Sequence, residues 1–79
     1  MKALIAEARA NREVAQLVYD LRASSGLTQR DLADRIGTSQ STIARLEDAH
    51  YTGHTLNMLS RICEALGRDL ELRCPRKHA

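Results

Sequence analysis

The chain contains no phenylalanine and no tryptophan, and its only aromatic side chains are Tyr19 and Tyr51. A core without large rings must be built from Leu, Ile, Val and Ala, which suits packed helices. The same scarcity disfavours RNA recognition, where unstacked bases rest on aromatic platforms. Cysteine is sparse as well. Cys63 and Cys74 stand eleven residues apart and form no disulfide framework, and two thiols in a chain of this kind read as reduced and cytoplasmic. No apolar run approaches the ~18 residues of a membrane span, and the N-terminus lacks a secretory signal pattern. Neither sign of charge dominates. Twelve basic residues against ten acidic ones leave a net charge of +2, well short of the basicity that alone announces a nucleic-acid binder. There is no repeat and no low-complexity segment.

What is present is one domain's worth of helix-forming sequence. Seventy-nine residues make a single domain, 1–79, that buries only about 60% of its unfolded surface and is marginally stable alone. Residues 2–24 are rich in Ala, Leu, Arg and Glu, all good helix formers. Val14, Leu17, Val18 and Leu21 recur at helical spacing and are expected to share one buried face. Leu4, Ile5 and Ala8 either continue that stripe or form a separate helix, with Asn11 at the point where it would break. Residues 1–18 thus form an N-terminal helical extension of one piece or two.

Local capping chemistry marks three more helices. Thr28 is an N-cap with Asp31 three residues on, a short-armed capping box, and the helix runs to about Ile36 before Gly37. It is expected to bury Leu32, Ala33 and Ile36. Ser39 caps a third helix that ends near Glu47 and buries Ile43 and Leu46. Residues 48–54 have no periodicity. Thr55 caps a fourth helix with Leu56, Leu59, Ile62, Cys63 and Leu66 along one face and Gly67 at its end. The period then changes to two: Leu70, Leu72 and Cys74 alternate with Asp69, Glu71 and Arg73, which predicts a short strand over 69–74, stopped by Pro75. A lone strand needs a partner, either the same strand of another copy or the edge of a different protein. The last twelve residues carry Arg68, Arg73, Arg76 and Lys77 against Asp69 and Glu71, a solvated tail or extra phosphate contact.

Function concentrates in LTQRDLADRIGTSQSTIARLE, Leu27 to Glu47. Two short helices joined by a tight turn, with a small Ala33 where they meet, form a helix-turn-helix. Ile43 and Leu46 pin the second helix to the core and leave Gln40, Ser41, Ala44 and Arg45 on its outer face. That is how a helix is presented to the major groove. Gln pairs with adenine N6 and N7, and Arg with guanine O6 and N7, each good pair contributing ~1–3 kcal/mol of discrimination. Thr28, Gln29, Ser39 and Thr42 place short donors near two helix N-termini, where phosphate is favoured. Such contacts position the protein rather than specify sequence.

This stretch resembles the helix-turn-helix of the lambda-repressor-like (Xre/Cro) family, whose pattern is close to LTQxxLAxxxGxSxxxIxxxE, and the resemblance extends over Tyr19 to about Leu66. It implies an all-α bundle of four to five helices, here with a short C-terminal strand. It implies that Gln29 contacts a phosphate and braces the second helix, that Gln40, Ser41 and Arg45 read bases, and that Thr42 touches a phosphate. It also implies a semi-buried ion pair between Arg22 and Glu47. The flanking sequence is similar to Xre-type antitoxins of the HigA and HipB kind. In those a homodimer represses its own operon on a pseudo-palindromic DNA operator and binds a RelE/HigB-like toxin, and in HipB-like members the terminal strand pairs across the dimer. Leu70, Leu72 and Cys74 would be that strand's inward face. The long toxin-wrapping segment of many antitoxins is missing here, which leaves the N-terminal helix and the basic tail as candidate toxin surfaces.

Two other readings stand beside this one. The chain is alternatively a stand-alone Xre-type or phage-type regulator without a toxin, or an adaptor that binds protein and not DNA. The polar residues at Gln29, Gln40 and Arg45 argue against the adaptor. No enzyme, cofactor or metal is expected: His50, His54 and His78 with the two cysteines give no zinc-ligand spacing.

Overall fold

A computed structural model describes residues 2–76, with side chains from Arg9 onward. It contains four helices: α1 (Lys2–Ser24), α2 (Gln29–Ile36), α3 (Gln40–Leu46) and α4 (Leu56–Ala65). The bundle is all-α, and no described helix is long and apolar enough to cross a membrane.

α1 is a single unbroken helix of 23 residues. Asn11 does not interrupt it, because its modest helix penalty is outweighed by the Ala, Glu and Arg around it. The side chains of Leu4, Ile5 and Ala8, and all of Lys77 and His78, lie outside the described residues. Arg9, Ala10, Arg12 and Glu13 are exposed, so this half of α1 stands clear of the bundle and the molecule measures 43 Å along its long axis against 24 and 20 Å across. Where α1 does meet the core, its inward face is rotated from the expected stripe. Ala15 and Val18 are buried, Val14 and Leu21 half-buried, and Leu17 is 44% exposed. The buried line runs Ala15, Val18, Arg22, at i, i+3 and i+7. A charged residue therefore belongs to the inward face, because its partner Glu47 waits there.

α2 and α3 begin where capping chemistry starts them. The Thr28 hydroxyl accepts the Asp31 N–H at 3.0 Å, and the Asp31 carboxylate accepts the Thr28 N–H at 2.9 Å. Ser39 and Thr55 accept the N–H groups of Thr42 and Met58, each at 3.2 Å. α2 ends at Gly37, whose φ of +74° suits glycine alone at no steric cost. Val18, Leu32, Ala33, Ile36, Ile43, Leu46 and Ile62 form the core. Each fully enclosed aliphatic side chain contributes about 1.5–3 kcal/mol relative to exposure. On α4 the inward residues are Met58, Leu59, Ile62 and Cys63, followed by Leu66 at its C-cap; Leu56, expected on that face, is 57% exposed because it opens the helix beyond the edge of the core.

The strand expected over 69–74 is absent. Among the described residues none is in a strand, and the chain after Gly67 has no regular structure. The reason is the one that made the strand incomplete in sequence: a strand exists by virtue of its ladder, and this chain supplies no second one. Leu70 is half-buried, whereas Leu72 and Cys74 are exposed.

The capping box gives a pH-dependent prediction. The Thr28 N–H holds the Asp31 carboxyl below its ordinary value of 3.8. A depressed carboxyl stabilises the fold above its unfolded value and loses that contribution as pH falls through the folded one. Thermal unfolding of the wild type should therefore worsen more steeply below about pH 4 than that of Asp31→Asn. Parallel melting-temperature profiles for the two proteins would assign the acid loss to other carboxylates.

Candidate nucleic-acid interface

α3 turns two residues inward and its remaining face outward. Ile43 is fully buried and Leu46 is 2% exposed, while Gln40, Ser41, Ala44 and Arg45 are all exposed. The helix has seven residues, and an α-helix with its side chains is about 10–12 Å across, which a major groove about 12 Å wide admits. Around its start lie short hydroxyls: Ser39 Oγ is 3.1 Å from Ser41 Oγ and 2.9 Å from Thr42 Oγ1. Thr28 and Ser39 are exposed, and Gln29 and Thr42 half-buried. The candidate phosphate-contacting and base-reading residues are thus distributed over the beginnings of α2 and α3 and the outer face of α3.

The far end of α3 is tied down by charge. Arg22 Nε donates to Glu47 Oε2 at 2.6 Å and Nη2 to Oε1 at 2.8 Å, a two-pronged pair whose side chains are only 13% and 6% exposed. The third nitrogen, Nη1, donates to the Leu27 carbonyl at 2.9 Å. Gln29 Nε2 donates to Glu47 Oε1 at 3.2 Å. The Arg22 guanidinium also lies 5.3 Å from the centre of the Tyr19 ring, within cation–π range. One carboxylate therefore joins the end of α1, the entry to α2 and the end of α3. The hydrogen bond to Glu47 holds Arg22 above its already high ordinary value. With one amide hydrogen on Glu47, Gln29 keeps a second donor for a phosphate.

Several supporting residues escaped the sequence reading. His54 Nε2 lies 2.7 Å from the Leu46 carbonyl and caps the last turn of α3 from the following loop, while its Nδ1 is enclosed without a hydrogen-bond partner. The Tyr51 ring meets the His54 ring edge-on at 5.1 Å, and Gly53 is needed between them because a Cβ there would strike Tyr51. Arg61 of α4 donates to the Ile36 carbonyl at the end of α2, and Arg35 of α2 reaches the Ala65 carbonyl at the end of α4 at 3.5 Å. Each of these two helices thus sends an arginine toward the other's C-terminus, where the dipole favours a cation. For Arg35, its place in the last turn of α2 is the local signal. His54 and Arg61 carried no such local signal.

Residues 18–72 match the family described as helix-turn-helix, which is more than half of the chain. This chain belongs to the helix-turn-helix family. The match takes in the last seven residues of α1, all of α2 to α4 and the first part of the tail, and leaves the projecting half of α1 outside. A relative described as an uncharacterized HTH-type transcriptional regulator, from Methanothermobacter thermautotrophicus (strain Delta H), is 42% identical over 53 residues, covering 67% of this chain and 75% of the relative. In this helix-turn-helix protein the motif is α2, the turn at Gly37–Ser39, and α3, with α1 and α4 as the supports that fix its crossing.

Proposed function

We propose that this helix-turn-helix protein is a sequence-specific DNA-binding transcriptional regulator that acts as a homodimer and reads bases with Gln40, Ser41 and Arg45. The observation that carries this reading is the outward face of α3, where the Gln40 and Arg45 side chains are exposed and make no hydrogen bond among the described residues, on a helix held at both ends. Thr28, Gln29, Ser39 and Thr42 supply phosphate contacts that set its register on the duplex. Two copies place their α3 helices in successive major grooves about one turn, ~34 Å, apart on a pseudo-palindrome. Leu70, Leu72 and Cys74 form the contact between the copies. Repression follows from covering a promoter.

Within that reading the specific role we favour is the antitoxin of a toxin–antitoxin pair, controlling its own operon and neutralising a RelE/HigB-like toxin. The support is the resemblance of the flanks to HigA- and HipB-type sequences, together with an α1 whose projecting half is committed to no core contact among the residues with described side chains. Capture of the tagged full chain from its host, with bound DNA sequenced and bound proteins identified, separates the roles. Its own promoter together with a small ribonuclease-like protein supports the antitoxin. DNA alone supports a stand-alone regulator.

Arg45→Ala is expected to cost about 1–3 kcal/mol of operator affinity and to relax preference at one base position, with the fold unchanged. Unaltered affinity and preference would remove Arg45 from the base-reading set. Gln29→Ala is expected to weaken all duplexes alike and to lower the salt dependence by about one phosphate's worth. A loss confined to one operator would contradict its phosphate role.

A further inference from the structure

α3 ends differently from the other described helices. α1, α2 and α4 are each followed within two residues by a glycine at positive φ, Gly26 at 72°, Gly37 at 74° and Gly67 at 69°. There the chain closes its own helix by turning back onto the last carbonyls. α3 has no such turn. Its C-cap is Glu47 at φ −92° and ψ −2°, and no residue from there to the start of α4 has a positive φ. The Arg45 carbonyl accepts the Asp48 N–H at 3.0 Å. The Leu46 carbonyl is met by a side chain eight residues on, His54 Nε2 at 2.7 Å. The end of α3 is therefore closed by two remote contacts, Glu47 in the grip of Arg22 and Gln29, and Leu46 under His54.

The imidazole that performs this task is fixed in its turn. A carbonyl only accepts, so Nε2 carries the hydrogen. Nδ1 is enclosed without a partner, so no acceptor stands ready for a hydrogen on that side. The surroundings thus select one tautomer and leave one ring nitrogen unpaired. The Tyr51 ring stands edge-on to the imidazole at 78°, and Tyr51 packs against the core. Asp48 folds the loop between them and α3. Its carboxylate accepts the His50 N–H at 2.9 Å and its carbonyl the Tyr51 N–H at 3.0 Å. Thr55, next along the chain, caps α4. His54 is held from the core, from the loop and from the start of α4.

We infer that His54 is a positioning residue for base reading: its Nε2–H fixes the last turn of α3 and, through it, the place from which Arg45 reaches the groove. The inference rests on the DNA-reading assignment of α3 above and deepens it by naming what aims one of its side chains. Arg45 directly precedes Leu46, and its exposed side chain makes no hydrogen bond among the described residues. The backbone beneath it is what determines where the guanidinium arrives. A two-pronged contact with a base tolerates displacements of only about 0.5 Å, and helix ends without caps fray. Ser39, Gln40 and Thr42 lie at the other end of α3, on the turn capped by Ser39. Their contacts do not depend on His54.

The duplex that the wild-type full chain selects from a randomised pool serves as the probe, beside a scrambled duplex of equal length. His54→Phe keeps a flat ring and removes the donor. His54→Gln carries an amide N–H as many bonds from the backbone as Nε2, whereas His54→Asn carries it one bond nearer, level with Nδ1. Binding is compared at a temperature where circular dichroism shows every variant fully helical. His54→Phe and His54→Asn should each bind the selected duplex about tenfold more weakly and lose preference at the Arg45 position alone. Affinity for the scrambled duplex should stay within about twofold, with its salt dependence unchanged. His54→Gln should remain within about threefold of wild type on both. In an Arg45→Ala background, His54→Phe should cost less than about twofold more, because the side chain it aims is gone. Equal losses on both duplexes, or full additivity with Arg45→Ala, would make His54 a structural cap only and overturn the inference. So would a nitrogen NMR spectrum of the folded wild type that places the ring hydrogen on Nδ1, a readout that needs no variant. A pool that stays random would fail the DNA-reading assignment itself, and this role with it, which is a separate outcome.

Discussion

Glu47→Ala is expected to lower stability by about 3 kcal/mol, a drop of roughly 12–24 °C in melting temperature for a domain of this size. The magnitude follows from what the substitution leaves behind. Two nitrogens of Arg22 lose their acceptor while the guanidinium stays mostly enclosed, and Gln29 loses its partner at the same carboxylate. Removing one member of a largely buried ion pair costs more than the pair itself contributes, because the survivor keeps its desolvation penalty. Residual water access at Arg22, 13% exposed, places the value at the lower end of the usual range. Arg22→Ala should cost less than Glu47→Ala, because the surviving carboxylate keeps its Gln29 bond. The double variant Arg22→Met with Glu47→Leu should recover much of the loss, since apolar side chains leave no unpaired charge. Thermal unfolding followed by circular dichroism checks all three. A Glu47→Ala protein melting within about 3 °C of wild type would mean that the bridge adds no rigidity to the end of α3.

Ile43→Ala should be as damaging by a different route. Its side chain is fully enclosed, and with Leu46 it is what α3 inserts into the core. Truncation removes apolar contact and leaves a cavity, at about 2–5 kcal/mol, whereas Ile43→Val should cost only about 0.5–1.5. In a domain whose total stability is of order 5–15 kcal/mol the larger figure threatens folding near 37 °C. Urea unfolding gives both values directly. Comparison with Arg45→Ala then separates two ways of losing DNA binding. Ile43→Ala loses it in proportion to the unfolded fraction and regains it on cooling, whereas Arg45→Ala binds poorly while fully folded. Equal urea midpoints for Ile43→Ala and wild type would show that α3 is held by something other than its two buried residues.

How far these features were legible in the sequence follows the range of the interactions behind them. Thr28 with Asp31, Ser39, Thr55 and Gly37 act within one turn of chain, and each sits where its local chemistry put it. The burial of Leu32, Ile36, Ile43 and Leu46 was equally plain, because short helices bounded by caps leave little freedom of phase. On α1 the apolar spacing identified a helix but misplaced its inward line: Leu17 is open and Ala15 enclosed, since Arg22 takes part of the buried face through a partner twenty-five residues away. That pairing was accessible only through the family resemblance. Leu56 failed for a related reason, as periodicity carries no information on where a core ends. The contacts of His54 with Leu46 and of Arg61 with Ile36 join separate elements and have no signature in either. The strand over 69–74 was a fair reading of alternation, and its absence reflects that pairing belongs to two strands and not to one.

Selection from a pool of randomised duplexes by the purified full chain, at about 0.15 M salt, tests the central claim most directly. A groove-reading α3 should enrich a motif of two inverted half-sites about one helical turn apart, and the same selection with Arg45→Ala should lose preference at one symmetric position while keeping the spacing. A pool that stays random after repeated rounds, or one enriched identically by wild type and Arg45→Ala, would contradict the assignment of α3 as the reading helix.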